Sequence, residues 1–253
     1  MILTVDVGNS NICIGLYDEK TPVFTSRINA DPQKTETEYA IILHNLFHMK
    51  GVSSKDIEGA IISSVVPPLT RILRDAVKIL ADVRITVVGP GVKTGVNLRI
   101  DDPSSCGADV VCGVVGIAEK YPLPAIVVDF GTATKMLVVD KNKNFVGGMI
   151  APGVEVSLEA LSESAALLPN IGIRKNIKAI GTNTVDCMMS GSAYNTAAMV
   201  DGMIERFKES MGDFTVVASG ALAKAILPHC KANIIYDENL LFDGMMAIYN
   251  KNK

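Results

Sequence analysis

The chain has 253 residues, 48% of them hydrophobic and 20% charged, with 24 basic and 27 acidic side chains and a formal net charge of -3. This is the composition of an ordinary soluble globular protein, and it lacks the basic excess that a nucleic-acid binder needs. Its length is compatible with one large domain or two of about 120 residues.

Residues 2–7 read as a strand, Gly8-Asn9-Ser10-Asn11 as a tight polar turn, and residues 12–18 as a second strand. Asp6 is the acid at the tip of this hairpin. Gly8 lets backbone approach a ligand closely, while Asn9, Ser10 and Asn11 supply small hydrogen-bonding groups. A third strand is expected over 23–28, followed by a break at Asp31-Pro32. Over 35–50 the apolar residues Tyr39, Ile42, Leu43, Leu46 and Phe47 recur at helical spacing behind the acidic turn of Glu36 and Glu38. His44 and His48 share a face of that helix, but no Glu follows His44 and no third ligand is in view, so they read as surface residues.

A buried strand over 59–66 ends at Pro67-Pro68, a helix runs to Leu80, and a strand over 83–88 closes at Gly89-Pro90-Gly91. Residues 104–109 cap a helix reaching Lys120, with Asp109 in its first turn. The cysteines Cys13, Cys106, Cys112, Cys187 and Cys230 form no Cys-x-x-Cys pair and read as reduced packing residues. A reactive thiol at Cys106 or Cys112 is the alternative.

Residues 125–140 then repeat the opening plan: strand, Asp129-Phe130-Gly131, a turn with Thr132 and Thr134, strand. Residues 141–144 make a solvated turn, 145–150 a third strand, and Ala151-Pro152-Gly153 starts a helix over 154–161. After an irregular connection over 167–180, Asn183-Thr184 caps a long helix over 185–211. A strand from 215 passes through Ala218-Ser219-Gly220-Ala221 into a helix, a short strand covers 233–236, and a helix over 240–250 closes the chain. The repeat divides the chain into halves of 1–118 and 119–253, expected to face a common cleft.

Two Asp-x-Gly hairpins on opposite walls make a phosphate clamp: turn amides and hydroxyls bond phosphate oxygens, and a carboxylate holds Mg²⁺ through water. Phosphoryl transfer also needs a group to accept the proton of the attacking hydroxyl, for which Asp109 is the candidate. Its alternative role is an acid stabilised by the helix dipole.

The motifs Asp6-Val7-Gly8-Asn9-Ser10-Asn11, Ser63-Ser64-Val65-Val66-Pro67-Pro68, Val88-Gly89-Pro90-Gly91-Val92-Lys93-Thr94-Gly95, Gly107-Ala108-Asp109, Asp129-Phe130-Gly131-Thr132-Ala133-Thr134 and Gly147-Gly148-Met149-Ile150-Ala151-Pro152-Gly153 occur in this order over the whole length. Together they resemble a type III pantothenate kinase. The resemblance implies an α/β fold of two duplicated actin/hexokinase-like halves (ASKHA, ribonuclease H-like) around a nucleotide cleft. It also implies ATP-dependent phosphorylation of pantothenate at its primary hydroxyl, opening coenzyme A synthesis, with Mg²⁺ and a monovalent cation, K⁺ or NH₄⁺. A cytoplasmic homodimer with no membrane or nucleic-acid partner is expected. Carried over by position, Asp6, Val7, Gly8, Asn9, Ser10, Asn11, Ile12, Cys13 and Thr132 line ATP, Asp109 is the catalytic base, Asp129 holds the monovalent cation, and Thr184 contacts pantothenate, whose site also takes in Ile100, Gly107, Ala108, Asp109 and Val110.

Two positions depart from the family pattern. Val110 stands where the family has Arg, and Ile100 where it tends to have Tyr. Val offers none of the forked donors by which Arg holds a carboxylate. Three readings follow: pantothenate phosphorylation with Arg99, Lys93 or a partner-subunit residue supplying the charge; a different hydroxyl acceptor; or a non-catalytic nucleotide-binding regulator.

Overall fold

The computed structural model describes residues 1–19, 21–174 and 176–253. In chain order the first elements are β1 (Ile2–Val7), β2 (Asn11–Asp18), β3 (Thr21–Asn29), α1 (Glu36–Met49), β4 (Gly59–Ser64), α2 (Pro67–Leu80), β5 (Arg84–Val87), β6 (Asn97–Leu98) and α3 (Ala108–Lys120). There follow β7 (Ala125–Phe130), β8 (Ala133–Val139), β9 (Asn144–Pro152), α4 (Val154–Ser164), α5 (Thr184–Met211), β10 (Thr215–Ser219), α6 (Ala223–Ile226), β11 (Ile235–Tyr236) and α7 (Leu240–Lys251). Lys175, inside the expected irregular connection, lies outside the described residues.

The chain forms two compact units. One comprises Met1–Asn97, Asp101–Glu119 and Leu240–Lys253, the other Leu98–Ile100 and Lys120–Asn239. This differs from a single division after residue 118, because α7 packs in the first unit rather than with the elements that precede it. Glycine makes that possible: a Cβ at Gly116 would run into the Leu240 carbonyl, and one at Gly244 into the Cys112 carbonyl, so α3 and α7 touch backbone to backbone.

The first unit holds a five-stranded sheet in the order β3-β2-β1-β4-β5, in which β1 is antiparallel to β2 and parallel to β4. The second holds the order β11-β10-β7-β8-β9, with β6 added beside β9. Three antiparallel strands followed by two parallel ones therefore occur twice, as the repeated hairpins lead one to expect.

Strand alternation decides which side chains meet the helices. In the first unit Leu3, Val5 and Val7 join Tyr39, Leu43 and Phe47 of α1 and Leu69, Leu73 and Val77 of α2 in one core, leaving Thr4 and Asp6 to the opposite face. In the second, Ile126, Val128 and Phe130 pack with Val154 and Leu158 of α4 and Ala193, Ala197 and Val200 of α5, leaving Asp129 to the opposite face. Full burial of each such aliphatic side chain stabilises by about 1.5–3 kcal/mol.

Helix α1 opens on a reciprocal cap, with the Glu38 amide donating to Thr35 Oγ1 (3.3 Å) and the Thr35 amide to Glu38 Oε2 (2.8 Å). His44 and His48 are exposed, as expected. Asn144 corrects the reading of 141–144 as a wholly solvated turn: it is 2% exposed, and its side-chain amide donates to Asp140 Oδ2 (2.7 Å), so β9 starts one residue early.

Candidate active site

The first-unit site forms where β1 ends. The Gly8 amide donates to the Asn11 carbonyl (2.9 Å), closing the turn between β1 and β2, and the Ala30 amide donates to the Ser10 carbonyl (3.0 Å), holding the turn against the end of β3. Asn9 and Ser10 are exposed at the tip, while Asp6, Gly8, Asn11 and Cys13 are half-buried. Val7 and Ile12 are core residues at 1% and 0% exposure, so any contact they make with a ligand is through backbone.

Asp6 is aligned with Ser63 on the parallel neighbour β4, and the fully buried Ser63 hydroxyl donates to Asp6 Oδ1 (2.8 Å). Cys112 of α3 lies against the same group. Burial pushes its thiol well above the usual range, the charges of Asp6 and Asp109 push the same way, and a hydrogen bond with Ser63 opposes them. One buried cysteine thus senses both the hairpin acid and the acid of α3. Asp6 and Asp109, 103 positions apart by number, share one neighbourhood in the first unit.

Asp109 occupies the first turn of α3, where the positive end of the helix dipole favours a carboxylate. Gly107 makes room for it: a Cβ there would stand 2.5 Å from Asp109 Oδ1 and 3.3 Å from Val65 Cγ1. Ala108 and Val110 flank the acid, both half-buried. Cys106 is no activated thiol, because burial and the Asp109 charge raise its pKa and keep it protonated.

The second-unit hairpin has the same frame with different chemistry. The Gly131 amide donates to the Ala133 carbonyl (3.1 Å), and Thr132 is exposed at the tip. This turn is one residue shorter: Phe130 pairs with Thr134 across three residues, where Val7 pairs with Ile12 across four. Two glycines bring other elements onto it. A Cβ at Gly153 would strike the Thr132 carbonyl, so α4 starts directly on the turn. One at Gly220, whose φ is +100°, would stand 2.6 Å from the Phe130 backbone.

Asp129 is matched on its parallel neighbour with Ser219, as Asp6 is with Ser63. On the antiparallel side it faces Lys135, where Asp6 faces Cys13. Lys135 Nζ lies 2.9 Å from Asp129 Oδ2, with the two side chains 13% and 23% exposed. Sequence reading gave no role of their own to Ser63 or Lys135, and took Cys112 as a packing residue or a reactive thiol. The signal for Lys135 was available, since counting back across a three-residue turn sets residue 135 opposite 129.

Thr184 is exposed at the start of α5, whose cap is Asn183, accepting from the Asp186 amide (2.9 Å). Ile100 is half-buried in the second unit. Among the described residues no three His, Cys, Asp or Glu side chains gather as a metal cluster, so any Mg²⁺ here would be held by one or two carboxylates together with phosphate and water.

The family model described as type III pantothenate kinase matches residues 2–206. A type III pantothenate kinase from Exiguobacterium sibiricum is 44% identical over 253 residues, covering 100% of both chains. Among solved structures, component A of the Acidaminococcus fermentans (R)-2-hydroxyglutaryl-CoA dehydratase superposes with a TM-score of 0.57 at 14% identity, covering 100% of this chain and 99% of that one. A ROK family glucokinase from Streptomyces griseus, solved with glucose and AMPPNP, gives 0.52 at 13%, covering 98% of each. These structures share the duplicated α/β fold with this chain.

Proposed function

The chain belongs to the type III pantothenate kinase family, and on that premise we propose that it transfers the γ-phosphoryl group of ATP to the primary hydroxyl of pantothenate, opening coenzyme A synthesis. The observation that carries the mechanism is the meeting of the two acids at the ends of β1 and β4: Ser63 bonds Asp6, the Val65 amide donates to the Val7 carbonyl (3.1 Å), and Gly107 brings Asp109 against Val65. It supports a phosphate-binding hairpin and a proton acceptor acting on one reaction centre.

In this reading the turn amides and hydroxyls of residues 8–11 bond phosphate oxygens and Asp109 accepts the proton of the attacking hydroxyl, while Thr132 is a nucleotide contact of the second unit's own hairpin. The Asp6 carboxylate, oriented by the Ser63 hydroxyl, suits Mg²⁺ held through water, which would neutralise charge on the phosphates. The Ser63 hydroxyl holds the Asp6 carboxylate in place, and Asp109 stands in the first turn of α3.

The monovalent cation expected at Asp129 does not fit as well. A lone carboxylate among carbonyls suits a large, weakly hydrated ion, whereas Asp129 already has the Lys135 ammonium at contact distance. No step of the mechanism is assigned to K⁺.

Val110 gives the pantothenate carboxylate no donor. Lys93 and Arg99 are exposed, and Arg99 helps to hold the Asp140 carboxyl below its usual range, behind burial, which raises it, and the Asn144 and Asn142 hydrogen bonds, which lower it. A homodimer is part of the proposal. Val156 and Leu161 of α4 are 37% and 43% exposed, and a groove of about 390 Å³ between α4 and α5 is lined by Leu158, Leu161 and Met188. An apolar face of this kind suits a second copy. No described helix is long and apolar enough to cross a membrane.

The test is ADP release by purified protein with ATP and Mg²⁺ on addition of pantothenate. Pantothenate-dependent release supports the assignment. ATP binding without such release at millimolar pantothenate would overturn it in favour of a different hydroxyl acceptor or of a non-catalytic nucleotide-binding regulator.

A further inference from the structure

We infer that Lys135 supplies, from within the chain, the single positive charge that a bound monovalent cation would otherwise bring to Asp129. The inference rests on the nucleotide-site reading of the second hairpin.

Three observations carry it. The pair is short and mostly shielded, with 2.9 Å between Lys135 Nζ and Asp129 Oδ2 and the two side chains 13% and 23% exposed. Its geometry is imposed by the sheet. Asp129 and Lys135 are directly opposed on β7 and β8, and those strands are themselves flanked by β10 and β9, so neither residue sits on a sheet edge. Finally, the two copies of the hairpin differ at this cross-strand position. Asp6 faces Cys13 and accepts a hydrogen bond from Ser63, whereas Asp129 faces a cation.

The chemistry of the side chain suits this role. A lysine side chain ends in an alkylammonium, a compact monocation with three N–H donors, and it belongs to the same class as the NH₄⁺ that substitutes for K⁺ at such sites. With one cation already on Oδ2, a second on the same carboxylate would meet like-charge repulsion in a partly desolvated place. Lys135 therefore acts as a positioning residue: it fixes the Asp129 carboxylate and contributes a permanent positive charge beside the Gly131-Thr132 turn that binds phosphate. A tethered charge is present at every ionic composition, so nucleotide binding should not depend on which monovalent salt is supplied.

Calorimetric titration of ATP with Mg²⁺ tests this in N-methyl-D-glucamine chloride and in KCl at equal ionic strength, on wild type and on Lys135→Met. Wild type should bind ATP with the same Kd in both salts to within twofold. Lys135→Met should bind at least tenfold more weakly in N-methyl-D-glucamine and regain most of the loss in KCl or NH₄Cl, a salt rescue that a merely structural lysine would not show. A wild-type affinity that K⁺ raises tenfold or more overturns the inference while leaving the nucleotide reading intact, and this comparison needs no variant. Unaltered ATP affinity of Lys135→Met in N-methyl-D-glucamine also overturns it. Absence of ATP binding by wild type in either salt overturns the nucleotide reading and the inference together.

Discussion

The buried Ser63 hydroxyl donates to Asp6 Oδ1 across 2.8 Å, joining β4 to the turn end of β1. A neutral donor to a carboxylate contributes about 1.5–3 kcal/mol. Ser63→Ala should therefore lower kcat/KM for ATP by roughly tenfold or more, by freeing the carboxylate to rotate, whereas Asp6→Ala should abolish turnover. Steady-state ADP release measures both, and an unchanged Ser63→Ala enzyme would mean that Asp6 needs no orientation.

Asp109 is assigned as the proton acceptor. Asp109→Asn keeps the shape of the side chain beside Gly107 but cannot take the proton, so kcat should fall by about 10²–10⁴-fold. ATP affinity measured by calorimetry should be nearly unchanged. A matching loss of ATP binding would instead assign Asp109 to holding the nucleotide or the fold.

Val110 and Ile100 are the two positions proposed to bear on acceptor recognition. Restoring the family residues with Val110→Arg and Ile100→Tyr should lower KM for pantothenate by roughly tenfold, the worth of one charged hydrogen bond to the carboxylate, with KM for ATP unmoved. An unchanged pantothenate KM would show that another cation already occupies that role.

Asp237 should set an acid limit on stability. It is 9% exposed and accepts from the Tyr121 hydroxyl (2.8 Å) and the Asn239 amide (3.1 Å), with Lys120 Nζ at 2.7 Å. Burial raises its pKa, but the hydrogen bonds from Lys120 and Tyr121 and the charge of Lys120 outweigh it, and the folded value lies below that of an ordinary carboxyl. Its contribution is thus fully present above the unfolded pKa, about 3.9, and is lost as pH falls through the lower folded value. Asp237→Asn should melt several degrees below wild type at pH 7, and the gap should narrow as pH approaches 3. A gap constant down to pH 3 would rule out ionic stabilisation.

Leu161 lies at the rim of the groove between α4 and α5. On the proposed homodimer packed through this face, Leu161→Glu would bury a charge without a partner and should give a monomer in light scattering after size-exclusion chromatography where wild type gives a dimer. A dimer that persists would move the interface elsewhere.

The local parts of the site were legible in the sequence because they are made by neighbours along the chain. Asp6 to Asn11 and Asp129 to Thr134 are hairpins whose glycines and small polar residues specify a turn, and their repetition identified a duplicated fold. Val7 and Ile12 were read as ligand contacts along with the rest of the hairpin, but alternation along the strands sends their side chains into the core.

The sequence by itself determined the duplication, the two hairpin acids, the helix bearing Asp109 and, through six ordered motifs, the family. Only the tertiary structure decided that α7 packs in the first unit, that Ser63 orients Asp6, that Cys112 lies near both Asp6 and Asp109, and that Lys135 closes on Asp129. The physical reason is range. Turn and helix preferences act over a few residues, whereas parallel pairing and helix packing join positions tens to hundreds of residues apart, and no local propensity records which strand will lie beside β1.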